Sequence, residues 1–329
     1  MRAWADRLNA LGAAREPCFF LVDFERERPR VWSAGDAGDD QPRFSFRGYE
    51  DGRTPPAGMP TPKLSADHVD EATFRRAFDV VRGGLQRGDS FLTNLTFPVP
   101  VRLSCSLEDV YWRSEAKYRI LWPGHFVCFS PETFVTIDGL GYIESRPMKG
   151  TATDSEQARA ELLVSKKEIA EHATIVDLIR NDLSQVARNV RVTDYRYFHK
   201  IATTRRGLVQ TSSKIGGYLP EGWRAALGDT LATLLPAGSV SGAPKSATLD
   251  LIRRAEGRPR GYYCGIGGYF DGRRVDTCVL IRFIEPTADG GHYFRSGGGI
   301  TAQSLWRDEY EELRAKVRIP LSVDGFSLH

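Results

Sequence analysis

One lysine of this chain stands in a setting that could present its amine for chemistry. Lys149 is the centre of the stretch Pro-Met-Lys-Gly-Thr at 147–151, where a proline and a glycine frame it. A neutral lysine amine is a nucleophile, so Lys149 is a candidate for covalent catalysis. The alternative is an ordinary surface lysine in a turn, and the rest of the sequence must decide between the two.

A pair of carboxylates near the C-terminus could hold a metal. Glu309 and Glu312 are three residues apart, so in a helix both project from one face, with Lys316 one turn beyond Glu312. Two carboxylates so close repel each other unless a cation lies between them. The alternative is a solvated helix face with a Glu312–Lys316 ion pair that contributes ~0.3–0.5 kcal/mol.

Three glycines precede this helix. Gly297, Gly298 and Gly299 have no side chains to hinder access to their backbone N–H groups, which suits a bound carboxylate or phosphate. The run could also form a flexible hairpin. Beside an acidic helix that could hold Mg²⁺, which takes oxygen ligands, it indicates an anionic substrate bridged by metal.

A second acidic pair, Glu168 and Glu171, has the same spacing on a predicted helix whose other face is apolar. Three helical carboxylates could therefore converge on one ion. Further along this helix, Arg180 and Asp182 are interpreted as structural groups that tie it to neighbouring elements.

The segment 236–245 contains two prolines and two glycines, so it is predicted to be a shaped loop and not a helix or central strand. Its Ser239 and Ser241 could donate hydrogen bonds to a ligand, while a serine at its end could equally cap the following helix. The segment matches neither the phosphate-binding loop nor the dinucleotide fingerprint, so ATP and NAD chemistry lack support.

The elements that must position these residues follow from the apolar pattern. Strands are predicted at 17–23, 91–101, 120–129 and 133–143, and an antiparallel meander at 262–296. Helices are predicted at 67–87 with Ser65 as N-cap, at 155–188 as one long or broken helix, around 223–234, at 247–256 and at 304–317.

Composition narrows the class of protein. The 329 residues, 41% of them hydrophobic, can bury a large core and fit one large domain or two small ones, and residues 1–64 are predicted to contribute a strand and an irregular loop. With 45 basic and 42 acidic residues there is no basic field for nucleic acid. No apolar stretch reaches the ~20 residues of a membrane span and the N-terminus lacks a signal-peptide pattern, so a cytoplasmic protein with no membrane partner is expected.

Taken in order, the motifs resemble those of the chorismate-utilising enzymes. The matching blocks are Gly88-Asp89 with Asn94-Leu95-Thr96, Ser130-Pro131-Glu132, the stretch 147–151, Glu171-His172 with 177–182, the segment 236–245, and Gly297-Gly298-Gly299-Ile300 with the acidic helix to Lys316. The resemblance implies that residues 1–329 form a single α+β domain in which two antiparallel β-sheets pack together and helices flank them.

The resemblance also implies a role for each site residue. Mg²⁺ would be held by Glu171, Glu309 and Glu312, with Glu168 behind them. The substrate, chorismate, would be bound by the metal and by Gly150, Thr151, Ser239, Tyr263, Arg282, Gly297, Gly298, Gly299 and Lys316. Glu132 would protonate the departing C4 hydroxyl, and Lys149 would be the covalent nucleophile.

Within this superfamily the sequence is most similar to the aminodeoxychorismate synthases, whose component I carries P-x-K-G-T. A lysine that adds at C2 and is expelled when ammonia adds at C4 gives a para product, whereas relatives with alanine in this block give ortho products. Ser239, where anthranilate synthases typically have threonine, favours the same assignment. Isochorismate and salicylate synthases have a water-activating lysine where this chain has Leu92, and many relatives have histidine where it has Gln210.

The implied reaction is the amination of chorismate to 4-amino-4-deoxychorismate for p-aminobenzoate and folate synthesis. Ammonia would come from a separate glutamine amidotransferase, because no cysteine here lies in a G-x-C-x-G setting. The five cysteines instead read as buried thiols. Two alternatives stay open: anthranilate synthase component I, and a non-catalytic subunit in which Leu92 and Gln210 mark lost chemistry.

Overall fold

A computed structural model describes residues 3–33, 35–36, 41–46, 48–50, 54–67, 69–201 and 208–321. The helices are α1 (Ala3–Ala14), α2 (Glu71–Arg87), α3 (Leu107–Arg113), α4 (Glu156–Val164), α5 (Lys166–Ser184), α6 (Leu227–Leu234), α7 (Lys245–Glu256) and α8 (Trp306–Ala315). Short 3-10 turns occupy Trp223–Ala226 and Gly238–Val240. None of the described helices is long and apolar enough to cross a membrane.

The strands of this region form two antiparallel sheets. They are β1 (Cys18–Val22), β2 (Arg30–Ser33), β3 (Arg43–Phe46), β4 (Tyr49–Glu50), β5 (Leu64–Ala66), β6 (Leu92–Leu103), β7 (Tyr118–Trp122), β8 (Phe126–Ser130), β9 (Thr133–Ile137), β10 (Tyr142–Ser145), β11 (Met148–Thr153), β12 (Arg188–Ile201), β13 (Leu208–Tyr218), β14 (Gly242–Ala243), β15 (Ile266–Phe270), β16 (Val275–Val279), β17 (Phe283–Pro286) and β18 (His292–Ile300). The first sheet has the order β11-β13-β10-β9-β16-β15-β1-β2, with β12 on β13. The second has the order β14-β6-β18-β17-β8-β7-β3-β4, with β5 on β6. The predicted α+β architecture is confirmed.

Strand β8 shows how the layers are arranged. Phe126 and Cys128 belong to the apolar cluster that the two sheets share, whereas Val127 and Phe129 belong to a second cluster with residues of α2, α3 and α8. Because side chains alternate across a strand, the two faces of this sheet are covered by different layers. The second sheet therefore lies between the first sheet and a layer of helices, which explains why every residue of β8 is buried.

The predicted meander at 262–296 is wrong in its pairing. Strands β15 and β16 pair with each other in the first sheet, whereas β17 and β18 pair in the second. The chain changes sheets between Val279 and Phe283, through Leu280, Ile281 and Arg282. The alternation of apolar residues locates the strands but does not indicate which sheet each one joins.

Two helix predictions need correction at their ends. Ser65 lies in β5, and α2 is instead capped by Asp70, whose carboxylate accepts a hydrogen bond from the backbone N–H of Thr73 at 2.7 Å. The region predicted as one long or broken helix contains two helices, and Ser165 both ends α4 and caps α5.

Residues 1–64 contribute more than the predicted strand and irregular loop. They add α1 and the short strands β2 to β4. β3 pairs with β7, far away in sequence, and β2 pairs with β1. Such short strands depend on their partners rather than on a local pattern, which is why the sequence did not reveal them. Positions 34, 37–40, 47 and 51–53 of the predicted loop lie outside the described residues.

Candidate active site

Lys149 is placed by a bulge in β11. Lys149 lies opposite Thr211 of β13 and Thr151 lies opposite Gln210, so Gly150 is an extra residue between two consecutive pairs. Gly150 has φ +67, and a Cβ there would lie 2.6 Å from Glu168 Oε2. Glycine therefore meets both the backbone and the space requirement. The Glu168 carboxylate therefore lies beside the bulge, next to Lys149 in the sequence of β11. The Thr151 side chain lies outside the described part of the chain.

The amine of Lys149 reaches the second sheet. A Cβ on Gly299 would lie 3.3 Å from Lys149 Nζ and 3.2 Å from Leu92 Cδ1. No hydrogen bond or ion pair joins this amine to any of the described residues. Leu92 is buried and lies beside the same glycine, at the position where the resemblance places a water-activating lysine in isochorismate and salicylate synthases.

Gly297, Gly298 and Gly299 lie in β18 and not in a hairpin. Opposite Gly297 and Gly299 on β6 are Thr96 and Asn94. The backbone N–H groups of these two residues donate away from β18, to Glu256 Oε1 and to the Ser241 carbonyl, both within 2.9 Å. In an antiparallel pair of strands, two residues that face each other without exchanging hydrogen bonds both point their N–H and C=O groups away from the partner strand. Gly297 and Gly299 therefore point theirs to the other edge of β18.

That other edge is open at the glycines. β17 pairs with β18 only from His292 to Arg295, and no other described strand pairs with this edge beyond Arg295. The Gly297 carbonyl at this edge accepts a hydrogen bond from Lys316 Nζ at 2.9 Å. The backbone cradle predicted from the glycine run is thus a short free strand edge between the two sheets.

The acidic face of α8 lies against the same glycines. A Cβ on Gly298 would lie 3.5 Å from both Glu309 Oε2 and Lys316 Nζ, and 3.8 Å from Glu312 Oε1. The predicted Glu312–Lys316 ion pair is present, with Oε1 and Nζ 2.6 Å apart. Glu309 is buried, whereas the Glu312 side chain is 53% exposed. The helix therefore brings two carboxylates and one ammonium to the glycine edge.

These two carboxylates fit a magnesium ion, which is often held by one or two carboxylates and retains several waters. The third predicted ligand, Glu171, is not brought to them: among the described residues no three acidic, histidine or cysteine side chains are close enough to hold one ion. The three-carboxylate site stays a prediction, and Glu309 with Glu312 is the part that the fold assembles.

Glu132 lies between β8 and β9 and faces the loop at 236–245. The Ser239 hydroxyl donates a hydrogen bond to Glu132 Oε1 at 2.5 Å. Burial raises the pKa of Glu132 above its ordinary value, although the Ser239 hydrogen bond and the charges of Lys149 and Lys316 act in the opposite direction. Burial is the largest of these effects, so the carboxyl group is suited to carry a proton.

Arg282 and Tyr263 form the end of the site nearest the change of sheets. Arg282 lies just before β17 and its guanidinium donates to the Lys316 carbonyl. Burial and Arg318 lower the pKa of Arg282, while Tyr263 and Glu312 raise it. Tyr263 is itself buried, which raises the pKa of its hydroxyl. Arg282 thus adjoins the Glu312–Lys316 pair and lies close to Tyr263, while the substrate-binding role of these residues stays a prediction.

One buried group had no predicted role. His172 follows Glu171 on α5, and its Nε2 lies 2.7 Å from the Ser213 hydroxyl of β13, while its Nδ1 has no partner among the described residues. Burial, with Arg196 and Lys149 nearby, lowers the pKa of His172 to about 4, so the ring is neutral at pH 7. The adjacent Glu171-His172 pair in the sequence was the available signal. Gln210 lies in the same strand as Ser213, paired opposite His199.

The comparisons with known proteins agree with this geometry. The family model described as chorismate binding enzyme matches residues 21–322. An uncharacterized PabA-like protein of Pasteurella multocida (strain Pm70) is 45% identical over 323 residues, which are 98% of this chain and 99% of that protein. Aminodeoxychorismate synthase component 1 of Bacillus subtilis (strain 168) is 30% identical over 258 residues, which are 74% of this chain and 53% of that protein.

A solved structure extends the agreement to the fold. Anthranilate synthase component I from Streptococcus pneumoniae TIGR4 matches with a TM-score of 0.64 and 25% identity, covering 79% of this chain and 60% of that one. The family model spans almost the whole chain and includes every predicted site residue. This chain belongs to the family of chorismate binding enzymes.

Proposed function

We propose that this protein is the aminating component of an aminodeoxychorismate synthase. Chorismate and ammonia would give 4-amino-4-deoxychorismate and water, in the route to p-aminobenzoate and folate. The observation that carries the proposal is the position of the Lys149 amine, which has no hydrogen-bond or ion-pair partner among the described residues and lies beside Gly299 of β18, with the buried carboxyl group of Glu132 nearby.

The para position requires two displacements. The Lys149 amine attacks C2 of the ring as the C4 hydroxyl leaves, which forms a C–N bond to the protein. Ammonia then attacks C4 and expels Lys149 from C2, so the lysine is regenerated. The Lys149 amine can serve this cycle, because it is not committed to a hydrogen bond or ion pair with any residue that the structure describes.

Glu132 supplies the proton for the departing hydroxyl. Its raised pKa favours the protonated form, and the Ser239 hydroxyl fixes the orientation of its carboxyl group. The C4 hydroxyl would then leave as water. A general acid beside the nucleophile is what the first displacement needs.

The substrate carboxylates have partners on the α8 side. Gly297 and Gly299 offer backbone N–H groups at the free edge, and Arg282 and Lys316 offer positive charge. Glu309 and Glu312 would hold Mg²⁺, which neutralises the charge of a bound carboxylate. These groups orient the ring so that C2 faces Lys149.

The nitrogen donor would be a partner protein. Four of the five cysteines, Cys18, Cys128, Cys264 and Cys278, are buried, and burial raises the pKa of each thiol. Cys105 is half-buried and its pKa is raised as well. Such thiols are poor nucleophiles, which supports a separate glutamine amidotransferase as the source of ammonia.

Identification of the product tests the proposal. The purified chain is incubated with chorismate, Mg²⁺ and ammonium at alkaline pH, and the products are identified by mass spectrometry. We expect 4-amino-4-deoxychorismate, and no product when glutamine replaces ammonium. Anthranilate as the product would instead assign the chain to the ortho-aminating relatives, and unchanged chorismate would favour a non-catalytic subunit.

A further inference from the structure

A small cavity adjoins Glu132. Its volume is about 20 Å³, and its walls are largely apolar, formed by Val135, Ile179, Leu183 and Leu234. A cavity of this volume holds one water-sized molecule. Ammonia has nearly the same size, so the cavity can accept either molecule but not a larger amine.

Polar groups line two parts of the cavity. Glu132 and Ser239, joined by their hydrogen bond, form one part, and Asp182 forms the other. Asp182 is paired with Lys245, whose Nζ lies 3.1 Å from its carboxylate and 3.1 Å from the Leu234 carbonyl. The lining of the cavity therefore contains two carboxyl groups and a hydroxyl that can hydrogen-bond to a small polar molecule.

The Asp182 carboxylate also packs against the loop that carries Ser239. A Cβ on Gly238 would lie 3.0 Å from Asp182 Oδ2 and 3.0 Å from Leu178. Asp182, Gly238 and Ser239 are thus in one continuous set of contacts that ends at Glu132. This buried acid, predicted only as a structural group, therefore borders the catalytic acid.

This inference rests on the proposed reaction, in which water leaves C4 of chorismate and ammonia adds to the same carbon. Protonation by Glu132 releases the C4 hydroxyl as water, and ammonia must then reach C4 before Lys149 can leave. We propose that the cavity beside Glu132 is the exchange site, which takes the departing water and delivers the attacking ammonia. The balance is chorismate plus ammonia to 4-amino-4-deoxychorismate plus water.

The walls select neutral ammonia over ammonium ion. An apolar enclosure penalises a charged occupant, because the ion loses its hydration there. The Asp182 carboxylate would attract ammonium, but the Lys245 ammonium at 3.1 Å already offsets its charge. The occupant is therefore the uncharged, nucleophilic form.

Filling the cavity is the first test. Val135→Ile adds one methyl-sized group at the wall, and we expect the KM for ammonium to rise about tenfold while the KM for chorismate is unchanged. Val127→Ile is the control, because Val127 is also a buried strand valine but packs in the cluster on the helix side of the second sheet and does not line the cavity. An unchanged ammonium KM in folded Val135→Ile, shown by an unaltered circular dichroism spectrum, overturns the proposal.

Enlarging the cavity is the second test, and it decides the matter if Val135→Ile does not fold. The wild-type protein should use methylamine poorly relative to ammonium, and Ile179→Val should reduce this discrimination about tenfold. Ile175→Val, on the same helix and outside the cavity, should leave it unaltered. Equal discrimination in wild type and Ile179→Val refutes the exchange site.

These outcomes separate the inference from the proposed function. If the wild type aminates chorismate but none of the cavity variants changes the ammonium KM or the methylamine discrimination, the reaction stands and the exchange site is wrong. If the wild type forms no amino product, the proposed function itself fails.

Discussion

The two lysines of the candidate site, Lys149 on the first sheet and Lys316 at the end of the helix beside the second sheet, differ in their hydrogen-bond and ion-pair partners. Lys316, at the end of α8, is held by Glu312 at 2.6 Å and by the Gly297 carbonyl at 2.9 Å. Lys149, on the bulge of β11, has no such partner among the described residues. The α8 side is therefore arranged in advance to bind charge, whereas the β11 side presents an amine that is available to react. In the proposed function the same residue type serves binding on one side and chemistry on the other.

The largest expected effect comes from removing the available amine. Lys149→Ala should lower formation of 4-amino-4-deoxychorismate about a thousandfold or more, because the first displacement is lost. Lys149→Arg should not restore activity, since guanidinium stays protonated. Intact-protein mass spectrometry should detect a chorismate-derived adduct on wild type and on neither variant.

Lys214→Ala is the control for this change, because Lys214 pairs with Asp194 at 3.2 Å outside the site and its loss should leave the rate unaltered. Near-normal para product from Lys149→Ala would remove the contrast between the two lysines. The case against anthranilate synthase that rests on Lys149 would then be withdrawn.

A smaller but still large effect is expected on the α8 side. Glu309→Gln and Glu312→Gln should each reduce the rate about a hundredfold, because charge stabilisation of the bound substrate carboxylate is lost. The loss should be greatest at limiting Mg²⁺. Glu311→Gln, on the exposed face of the same helix where Glu311 pairs with Arg314, is the matched control. Rates that do not depend on Mg²⁺ in any of the proteins would rule out the metal assignment.

Alanine substitutions at two glycines, one on each side of the site, should have more moderate effects. Gly150→Ala should destabilise the protein by roughly 1–2 kcal/mol and displace Lys149, because its φ is +67 and a Cβ would lie 2.6 Å from Glu168. Gly298→Ala meets only ordinary contacts, so its stability should change by less than about 0.5 kcal/mol while the KM for chorismate rises. Urea unfolding and steady-state kinetics separate the two, and equal stability losses would contradict this interpretation.

The smallest expected effect is a change in pH dependence. If Glu132 is the general acid, as proposed, the rate should fall as pH rises through its pKa in the folded protein. The hydrogen bond from Ser239 lowers that pKa, since it stabilises the carboxylate. Ser239→Ala should therefore move the high-pH fall in kcat to higher pH. A shift in the opposite direction would show that Ser239 favours the protonated form.

Much of this arrangement was predictable from the sequence, and the features that were not predictable depend on pairing between segments far apart in the chain. The acidic pair on α8 and its Lys316 partner followed from helical spacing, which is a local property. The glycine run was harder, because glycine has low strand propensity and only pairing with β6 makes Gly297–Gly299 a strand. The bulge at Gly150 likewise depends on register with β13, and the border between Asp182 and Glu132 depends on contacts between distant segments.

The free edge of β18 has a consequence for the behaviour of the protein in concentrated solution. An unpaired strand edge is a place where a second molecule can add its own strand and begin aggregation. Here the part that no described strand covers is short, from Gly297 to Ile300, and Lys316 and Glu312 place charges against it. Charge is one of the devices by which natural sheets discourage edge-to-edge pairing. The charged groups that the proposed function assigns to substrate binding therefore also oppose the pairing of this edge with a second polypeptide.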